Sequence, residues 1–591
     1  MCGVFGYTGK SIANDMVFQG LKRLEYRGYD SWGIAVNDDK KIQLFKDVGE
    51  IQERAGLKKL PQTTTAIGHT RWATHGGVTV TNAHPHMSTD DEFTLVQNGI
   101  VENFSQLKTK LEKLGYKFTT QTDTEVIVKL IEEQLKTIKD FEAAVKKAFK
   151  LLEGRNTIAI LRTNGDILAV RNGSPLVIGK GKDGIFLASD SLSFAPYTND
   201  VILLDDFDFV QISKGKLHIE NVLTGKEKKI VVQKLKNTYT NIEKGKYEHF
   251  MIKEIVEQEK TILNATAYTQ AELKPLVDAI KQAHRVYVLG AGTAGFAAGQ
   301  IAYFLRNIAK IDTQEVRSYE FNTYKNILKK EDLIIAVSQS GETADTIEVL
   351  EMAKGTGCNI ASIVNMLGTT ISRMSDFKYY TNAGPEICVA STKVFTSQCA
   401  WGYILAKGIV GELKDAKSNI ADLSVLLGKY FSEKTYTSIE KIAKILKEKE
   451  HMFVLGKGEN AYTALEGALK VKEISYKHIE GFAAGELKHG VIALVDKGTP
   501  VFGIISSDDD CKDLVSGMEQ VKARGALTIG IGDSKFSKLE VFDYFLSVPQ
   551  VDEINNISNV IPFQLISYFL SKELGNNIDK PRNLAKSVTV K

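Results

Sequence analysis

The second half of this 591-residue chain repeats one pattern, in which short apolar strands alternate with long amphipathic helices. Residues 285–290 resemble residues 451–456, and residues 333–338 resemble residues 501–506 at nearly the same separation along the chain. Two matching separations indicate two copies of one unit rather than coincidence between short apolar segments. Strands that alternate with helices in this way form parallel sheets with helices on both faces. The pattern therefore predicts two doubly wound α/β domains.

The first half has a different texture, with short strands separated by Gly, Asn and Asp turns. Two of its segments, 11–23 and 124–138, have apolar residues at helical spacing. A polar segment between the halves reads as a linker. The boundaries that we predict are an N-terminal domain at 1–238, a linker at 239–247, two α/β domains at 248–440 and 441–575, and a C-terminal catalytic tail at 576–591.

The composition excludes several classes of function. The net charge is +3 and Lys and Arg are spread along the chain, so no basic stripe predicts nucleic-acid binding. No apolar run approaches the ~18 residues of a membrane span, and the N-terminus lacks the regions of a signal peptide. The five cysteines show no CxxC spacing, which argues against a disulfide framework or a zinc ribbon. We expect a cytoplasmic protein with no nucleic-acid or membrane partner.

Cys2 is the clearest sign of chemistry in the first half. Removal of Met1 would leave a cysteine that carries both a thiol and a free α-amine. An α-amine has a pKa of about 7.7–8.0, so part of it is unprotonated at neutral pH and can act as a base. Nucleophile and base would then share one residue, as in N-terminal nucleophile catalysis. The alternative is an incidental small residue, and Cys2 alone does not decide between them.

Three later clusters hold side chains suited to a substrate with an amino-acid head and a side-chain amide. Arg71 offers a bidentate cation for an α-carboxylate, and Asp123 offers an anion for an α-ammonium group. The Asn98 side chain and the Gly99 N–H could donate to a tetrahedral oxyanion. Taken singly, each cluster has a common structural explanation, as a surface arginine, an Asn-Gly turn or a helix-capping aspartate.

Together with Cys2, these clusters resemble the glutaminase domain of class II (Ntn-type) glutamine amidotransferases. The resemblance covers nearly all of 2–235 and rests on the segments CGVFGY, LKRLEYRGYDSWG, HTRWATHG, NGIVENF and TDTE. It implies an αββα fold with Cys2 as the nucleophile, Arg27 as a support for that cysteine and Trp72 as a gate on the path of ammonia. The glutamine-binding residues that it implies, which include the oxyanion hole of Asn98 and Gly99, are Arg71, Thr74, His75, Asn98, Gly99 and Asp123.

Two features of the first half lie outside this explanation. Trp32 occupies a position where the family usually has a small residue, and the sequence does not indicate its role. The histidines at 69, 75, 84 and 86 suggest a metal site, but they match no familiar ligand spacing and two of them lie inside a glutaminase motif. We therefore predict no metal.

The first α/β domain carries two competing ligand signals. The segment 290–295, GAGTAG, follows a strand and fits the dinucleotide fingerprint, and Glu315 lies about twenty residues on. The segment 338–346, SQSGETADT, places several hydroxyls and backbone N–H groups before a helix, which forms a phosphate cradle. A second hydroxyl cluster lies at 390–393. A helix cap would need only one hydroxyl, so phosphate is favoured over a nicotinamide cofactor.

These hydroxyl clusters resemble sugar isomerase (SIS) domains, which bind phosphorylated sugars. In the second copy residues 506–509 read SSDD, and their acidic side chains would repel phosphate. The phosphate site is therefore expected in the first copy. The sugar-phosphate-binding residues that the resemblance implies are Thr293, Ser338, Gln339, Ser340, Thr343, Val389 and Ser391.

A helical segment in the second copy places Glu466, Lys470 and Glu473 on one face, at positions i, i+4 and i+7. Spacing alone would favour a salt-bridge ladder on the surface. However, the segments LEGALKVKEISY, AAGELKHG and DKPRNLAKSVTV resemble the isomerase half of the isomerizing glutamine–fructose-6-phosphate aminotransferases. With both halves present in this order, the resemblance spans essentially the whole chain.

The resemblance implies roles for five charged or titratable residues of the isomerase half. Lys586 would form a Schiff base with the ketose, and Glu473 would move a proton between C1 and C2. His489 would open the sugar ring and would come from the neighbouring subunit, which implies a homodimer. Glu466 and Lys470 would be supporting charges. Because a proton moves and no hydride does, we expect no cofactor.

The implied reaction links the two halves of the chain. Glutamine would be hydrolysed at Cys2 through a thioester, and the ammonia would be channelled to the isomerase site. There fructose 6-phosphate would become glucosamine 6-phosphate, the first step of hexosamine synthesis.

Some positions depart from the family pattern. Ala294 stands where serine is common, and Lys591 stands where glutamate is frequent. The glutaminase half has no large insertion of the eukaryotic kind, so the chain resembles the bacterial members. Two alternatives stay open, an enzyme for another phosphorylated ketose, which Ala294 motivates, and a non-enzymatic SIS-type sensor of sugar phosphates.

Overall fold

The chain folds into two compact units. The structure is a computed structural model that describes residues 2–38, 41–51, 60–235, 243–506 and 508–589, without the side chains of 508–510. Met1, residues 239–242 of the predicted linker, Ser507 and Lys591 therefore lie outside the described residues. The first unit comprises Met1–Asn241 with Ala585–Lys591, and the second comprises Ile242–Leu584. Within the described ranges no helix is both long enough and apolar enough to cross a membrane.

The first unit contains two sheets. The strands of the larger sheet are β1 (Gly3–Gly9), β2 (Ser31–Asp38), β3 (Lys41–Val48), β4 (Thr65–Arg71), β9 (Val177–Lys180), β10 (Gly184–Ala188), β11 (Asp200–Leu203) and β14 (Gln233–Lys234). They pair antiparallel in the order β14-β11-β9-β10-β1-β4-β2-β3. The strands of the smaller sheet are β5 (His86–Met87), β6 (Phe93–Gly99), β7 (Asn156–Arg162), β8 (Ile167–Val170), β12 (Asp208–Ser213) and β13 (Lys216–Asn221). Their order is β13-β12-β8-β7-β6-β5.

Alternation along the strands divides the core of this unit into layers. In β1, Val4 points into the cluster between the two sheets, while Phe5 points into the cluster under the first helix. In β7, Ala159 lies between the sheets and Ile158 faces the helices on the other side. Successive strand residues point to opposite faces, so each sheet buries both of its faces. The result is the αββα arrangement that the resemblance implied.

The helices of this unit are α1 (Ala13–Leu24), α2 (Phe104–Lys113), α3 (Thr124–Leu135) and α4 (Phe141–Phe149). The segments predicted at 11–23 and 124–138 correspond to α1 and α3. Helix α1 covers the larger sheet, and α3 and α4 cover the smaller one.

The second unit contains two five-stranded parallel sheets. The strands are β15 (Val286–Gly290), β16 (Thr313–Arg317), β17 (Leu333–Ser338), β18 (Asn359–Val364), β19 (Phe377–Tyr380), β20 (His451–Gly456), β21 (His478–Ala483), β22 (Pro500–Ile505), β23 (Leu527–Gly532) and β24 (Tyr544–Ser547). The orders are β16-β15-β17-β18-β19 and β21-β20-β22-β23-β24. When the strands of each sheet are numbered in chain order from its first strand, both orders are 2-1-3-4-5. The predicted internal repeat and the doubly wound class are therefore confirmed.

Helices cover both faces of these sheets. They are α5 (Phe250–Ala265), α6 (Gln270–Gln282), α7 (Thr293–Asn307), α8 (Ala344–Thr356), α9 (Thr370–Met374), α10 (Lys393–Val410), α11 (Leu413–Tyr430), α12 (Glu433–Lys447), α13 (Glu459–Ser475), α14 (Asp508–Lys522), α15 (Asn555–Asn559) and α16 (Ile561–Leu574). One apolar core joins the facing sides of the two repeats. The outer sides have separate clusters, one with α8 and α9 and one with α14.

The residues before Ala585 tie the C-terminal segment to the second unit. The carboxylate of Asp579 accepts the backbone N–H groups of Phe250 and Met251, both at 3.0 Å, at the start of α5. An anion at this position satisfies N–H groups that the helix itself leaves unpaired. The backbone N–H of Arg582 donates to the hydroxyl of Tyr476 at 2.8 Å, just after α13. The tail is thereby attached to the helix that carries Glu473.

Two candidate active sites

Cys2 lies at the start of β1, beside the loop that follows β4. Its Sγ accepts the backbone N–H of Trp72 at 3.3 Å and lies 3.5 Å from the Trp72 carbonyl oxygen. Burial raises the pKa of the Cys2 thiol, while the Trp72 N–H and the Arg71 cation act in the opposite direction. A thiol held in its protonated form is a poor nucleophile, so this site needs a base to activate it.

Asn98 connects the second sheet to the Cys2 backbone. It lies near the end of β6, and its Nδ2 donates to the carbonyl oxygen of Cys2 at 3.0 Å. Gly99 follows with φ +137°, and a Cβ atom there would lie 2.0 Å from the Arg155 carbonyl oxygen. Only glycine fits this backbone position. The two residues predicted to form an oxyanion hole thus lie next to the predicted nucleophile.

Arg71 holds the loop after β4. Its guanidinium donates to the carbonyl oxygens of Gly77 at 3.2 Å, of Gly76 at 3.3 Å and of His75. Arg71 is almost fully buried, while Thr74 in the same loop is exposed and His75 is half-buried. The sequence predicted that Arg71 binds the α-carboxylate of the substrate. In this structure its guanidinium bonds the backbone of the loop whose residues would surround that carboxylate.

Asp123 lies at the first turn of α3 but does not cap the helix with its side chain. Its Oδ2 accepts the backbone N–H of Val101 at 2.8 Å, two residues after Gly99. Burial raises the pKa of Asp123, and the Val101 N–H, His75 and Arg71 oppose this shift. The structural explanation as a helix cap therefore fails, and Asp123 lies in the electrostatic environment of Arg71 and His75.

Arg27 and Trp32 have contacts that the sequence did not specify. Arg27 is buried and forms an ion pair with Asp190 at 3.1 Å. The Trp32 ring packs against Phe18 of α1 and Phe45 of β3, and its indole N–H is buried with no hydrogen-bond partner among the described residues. Trp32 thus fills the apolar layer under α1.

Asp30 is a residue of this site that the sequence reasoning missed. Its Oδ2 accepts the backbone N–H of Ala73 at 2.8 Å, and its own N–H donates to the Arg71 carbonyl oxygen at 3.0 Å. These bonds hold the peptide that contacts the Cys2 thiol. The signal was its place inside the motif LKRLEYRGYDSWG, directly before β2.

The second site is built around three charges on α13. Lys470 Nζ lies 2.5 Å from Glu473 Oε2, 3.5 Å from Glu466 Oε1 and 3.0 Å from the hydroxyl of Thr293. Glu466 and Lys470 are fully buried, and the Glu473 side chain is 20% exposed. The surface ladder that spacing alone would favour is not formed, because the three side chains make a buried cluster that reaches solvent at Glu473.

In this cluster, the charges shift the pKa values of Glu466 and Lys470 in the direction opposite to the effect of burial. Burial raises the pKa of Glu466, and the Lys470 cation opposes that shift. Burial alone would lower the pKa of Lys470, but Glu466 and Glu473 outweigh it and raise that pKa. Lys470 therefore stays an ammonium ion and keeps Glu473 paired.

The predicted phosphate cradle lies between β17 and α8. The hydroxyl of Ser338 accepts the backbone N–H of Gly341 at 3.0 Å and lies 3.3 Å from the hydroxyl of Thr343. The Ser340 hydroxyl accepts the backbone N–H of Glu342 at 3.2 Å. Gln339 and Ser340 are half-buried at the tip of the loop. The loop thus collects hydroxyls at the N-terminus of a thirteen-residue helix.

The second hydroxyl loop is held by a buried carboxylate. Ser391 donates its hydroxyl to Glu386 at 2.8 Å, and Glu386 also accepts the backbone N–H groups of Thr392 and Val394. The N–H of Val389 donates to the Asp579 carbonyl oxygen at 3.1 Å. Glu386 is a second residue that the sequence reasoning missed, and no motif marked it.

The glycine loop after β15 connects the cluster on α13 to the first repeat. Thr293 begins α7 and lies 3.3 Å from Glu466 Oε1, and Ala294 beside it is half-buried. Glu315, the acidic residue of the alternative dinucleotide pattern, forms an ion pair with Arg317 at 3.2 Å.

Ser506, which begins the corresponding loop of the second repeat, is bonded to a side chain of α13. Asn460, at the start of α13, donates its side-chain amide to the Ser506 hydroxyl at 2.6 Å, just after β22. Asn559 donates to the Asn460 side-chain oxygen at 3.1 Å. The Ser506 hydroxyl, the described side chain of the segment 506–509, is thus bonded within the protein.

The remaining predicted residues lie at the ends of short segments. His489 is exposed and ends the short 3-10 helix Ala484–His489, which follows β21. Lys586 is half-buried and belongs to Ala585–Lys591, the segment that is part of the first unit. Among the described residues no three His, Cys, Asp or Glu side chains come together as a metal site.

Models of two protein families match the chain. The SIS domain model matches residues 279–407 and 444–571, one match in each repeat of the second unit. The glutamine amidotransferase domain model matches residues 69–195 in the first unit.

Several proteins are similar over their entire length. The glutamine–fructose-6-phosphate aminotransferase (isomerizing) of Pyrococcus horikoshii is 41% identical, with 100% of both chains covered. The proteins of the same name from Aquifex aeolicus and Fusobacterium nucleatum are each 39% identical, again with 100% of both chains covered. Among solved structures, the C-terminal domain of glucosamine-fructose-6-phosphate aminotransferase from Francisella tularensis is similar. It is 30% identical, covers 57% of this chain and 99% of that chain, and has a TM-score of 0.54.

Proposed function

Since this chain belongs to the family of isomerizing glutamine–fructose-6-phosphate aminotransferases, we propose that it makes glucosamine 6-phosphate and glutamate from fructose 6-phosphate and glutamine. The observation that carries the proposal is that one chain holds both a cysteine site suited to amide hydrolysis and a buried Glu–Lys–Glu cluster beside a phosphate cradle. A sugar-phosphate sensor would need neither the cysteine site nor the charged cluster.

At the first site, Cys2 attacks the side-chain amide of glutamine. The α-amine that remains after Met1 is removed takes the thiol proton, and the sulfur forms a bond to the amide carbon. The oxyanion accepts hydrogen bonds from the Asn98 amide and the Gly99 N–H. The α-ammonium group of Cys2 gives this proton to the amide nitrogen, and the C–N bond breaks as ammonia leaves. Water then hydrolyses the thioester to glutamate and frees the thiol. Arg71 and Asp123 hold the two charged groups of the amino-acid head, with Thr74 and His75 beside them.

At the second site, the open-chain ketose reacts with ammonia at C2. The loop 338–343 and Ser391 hold the sugar phosphate, together with Thr293 and Val389. His489 opens the ring, Lys586 forms a Schiff base with C2 as water leaves, and ammonia then displaces the Lys586 amine from C2. Glu473 moves a proton between C1 and C2, which isomerises the sugar with no change in oxidation state overall.

Two structural observations support the proposed role of Glu473, its partial exposure and its contact with Lys470. It is the partly exposed member of the cluster, so it can reach a substrate, and its Oε2 lies 2.5 Å from Lys470 Nζ. Glu466 holds Lys470 from the buried side.

The test is product analysis with a Cys2→Ala variant. Wild-type protein incubated with glutamine and fructose 6-phosphate should yield glucosamine 6-phosphate and glutamate. Cys2→Ala should lose this synthesis and retain isomerisation of fructose 6-phosphate to glucose 6-phosphate, because the sugar site does not use the thiol. Absence of glucosamine 6-phosphate with the wild type would overturn the proposal, and loss of isomerisation in the variant would overturn the division between the two sites.

We further propose that the enzyme is a cytoplasmic homodimer that binds neither nucleic acid nor membrane. Exposure of His489 supports the dimer, since that side chain is available to a second copy. The spread of positive charge along the chain supports the absence of nucleic-acid binding. A mass in solution of one chain rather than two would contradict the dimer.

A further inference from the structure

Three buried histidines lie directly behind the proposed oxyanion site, and the proposed mechanism gives them no role. His69 of β4 stacks on His84 with ring centroids 4.1 Å apart and planes 12° apart. His86 contacts His84 edge to face with centroids at 4.7 Å. All three are buried, and no described group of metal ligands includes them. The ring nitrogens of His69 and His84 bond the residues of the oxyanion site.

His69 bonds both the backbone and the side chain at the oxyanion site. Its Nε2 lies 2.9 Å from the Gln97 carbonyl oxygen and 3.2 Å from Asn98 Oδ1. A carbonyl oxygen can only accept, so Nε2 carries the proton and Asn98 Oδ1 shares it. Burial lowers the pKa of His69 to about 3, so the ring stays neutral with this single proton. The Nδ1 atom has no hydrogen-bond partner among the described residues.

These contacts determine which way the Asn98 amide points. With Oδ1 on His69, the amide nitrogen faces Cys2, where it donates to the Cys2 carbonyl oxygen at 3.0 Å. Rotation of the amide by half a turn would place two donors against each other at His69 and two acceptors against each other at Cys2. Leaving buried polar groups unpaired in this way is unfavourable. The amide is therefore held with its N–H groups on the side of the reacting carbon.

The neighbouring histidine fixes the peptide before Asn98. Gln97 donates its backbone N–H to His84 Nδ1 at 3.3 Å, so His84 carries its proton on Nε2, 3.3 Å from the hydroxyl of Thr124. Thr124 in turn donates to the Gln97 side-chain oxygen at 2.5 Å. Both backbone groups of Gln97 are thus bonded to histidines, and the network ends beside Asp123.

We propose that His69 is a positioning residue for glutamine hydrolysis, which orients the Asn98 amide so that it can donate to the oxyanion. The inference rests on the proposed role of Asn98 in the glutaminase site. It predicts that His69 affects the rate of the chemical step rather than the binding of glutamine, because His69 contacts neither the substrate head groups nor the thiol. A core histidine that only fills space would have no such selective effect.

The experiment compares four variants of the full chain: His69→Leu, His69→Gln, Asn98→Ala and the double variant His69→Leu with Asn98→Ala. His69→Leu should lower the glutaminase kcat by about 10-fold to 100-fold with little change in KM, since loss of one oxyanion donor costs about 100-fold to 1,000-fold. His69→Gln keeps a donor at a similar reach and should recover part of the rate. In the Asn98→Ala background, His69→Leu should have no further effect.

A second measurement distinguishes a positioning role of His69 from a general loss of structure. Glutamate γ-semialdehyde forms a hemithioacetal with a cysteine thiol and mimics the oxyanion, so His69→Leu should weaken its inhibition while glutamate binds as before. Ile67→Ala serves as the matched control, because Ile67 is buried on the same face of β4, two residues earlier, and does not bond Asn98. Isomerisation of fructose 6-phosphate in each variant reports on the integrity of the second site.

The outcomes distinguish this inference from the function on which it rests. Unchanged kcat in His69→Leu, an equal loss in Ile67→Ala, or an equal further loss in the Asn98→Ala background would each overturn the role of His69. If Asn98→Ala itself keeps the wild-type rate, the proposed oxyanion role of Asn98 fails together with the inference. If Asn98→Ala is inactive and His69→Leu is not, only the inference fails.

Discussion

At the scale of single residues, Lys470 is the cation on which the sugar site depends. It is fully buried and contacts two carboxylates and the Thr293 hydroxyl. Removing one partner of a buried ion pair strongly destabilises the folded protein, because the remaining charge stays buried without compensation. The cluster is therefore a sensitive point for both stability and catalysis.

We predict that Lys470→Met abolishes isomerisation and lowers the unfolding free energy of the second unit by about 3 kcal/mol. The reason is that the buried cluster loses its cation and Glu473 loses its partner. Adding Glu466→Gln should not restore the lost stability, because burial raises the pKa of Glu466 to about 8 and its carboxyl is already neutral at pH 7. Differential scanning calorimetry of the two variants and of Glu466→Gln alone checks this, and equal melting temperatures for Lys470→Met and the wild type would contradict it.

The sequence predicted this cluster in part. The i, i+4, i+7 spacing placed the three side chains on one face of a helix, and the structure has them there on α13. Spacing could not predict that Glu466 and Lys470 are buried, because their cover comes from Thr293 on a distant helix. Asp30 was missed for a related reason, since its partner is a backbone N–H more than forty residues away.

At the scale of elements, the loop between β17 and α8 determines where a phosphate can bind. Gly341 adopts φ +65°, and a Cβ atom there would lie 2.1 Å from the Thr369 hydroxyl oxygen. Its N–H donates to the Ser338 hydroxyl, so the glycine also holds the first hydroxyl of the cradle. The loop thus requires glycine for its backbone conformation and for its close packing.

We predict that Gly341→Ala raises the KM for fructose 6-phosphate at least tenfold, because the loop must move away from Thr369 and the cradle opens; a tenfold change corresponds to about 1.4 kcal/mol. Glutamine hydrolysis without sugar should be unchanged. Gly355→Ala is the matched control, since Gly355 lies in α8, where an added methyl group would have no atom within 4 Å, and should gain about 0.5–1 kcal/mol of stability. Steady-state kinetics with both variants decides the matter, and equal KM values would refute the assigned role of the loop.

Element positions were predicted better than element ends. The apolar spacing at 124–138 gave the middle of α3 correctly, but the helix ends at Leu135, because residues 136 and 137 form a turn. The spacing of apolar residues indicates which face of a helix is buried, but it does not indicate the residue at which the chain leaves that face. The tandem α/β repeat was predicted well, since the central strands β15, β17, β20 and β22 carry the apolar runs that a doubly covered parallel sheet requires.

At the scale of the whole molecule, the two units differ in the ionisable groups that they bury near their proposed sites. The first unit buries three histidine rings, while the second buries Glu466 and Lys470 of α13. Burial lowers the pKa of His69 to about 3, and it lowers the pKa of His84 and His86 well below the usual value, with Arg71 and Lys46 contributing. We therefore expect the stability of the first unit to depend on pH in the mildly acidic range through these three rings.

The sign of this response follows from linkage. A histidine is neutral in both states above its unfolded pKa of about 6.5, so it has no effect on stability there. Below that pH the unfolded chain binds protons that the folded unit excludes, so stability falls as the pH falls. Each histidine contributes about 1.4 kcal/mol per pH unit until the pH reaches its folded pKa.

We predict that the first unit loses up to about 4 kcal/mol per pH unit between pH 6 and pH 5 through these three histidines. His86→Gln should reduce that slope by about one third, because glutamine can still bond the Thr122 hydroxyl but does not titrate. Calorimetry of both proteins from pH 7 to pH 5 measures the slopes, with isomerisation of fructose 6-phosphate as the control for the second unit. Equal slopes would show that the ring of His86 is protonated in the folded protein, and burial would then fail to explain the acid response.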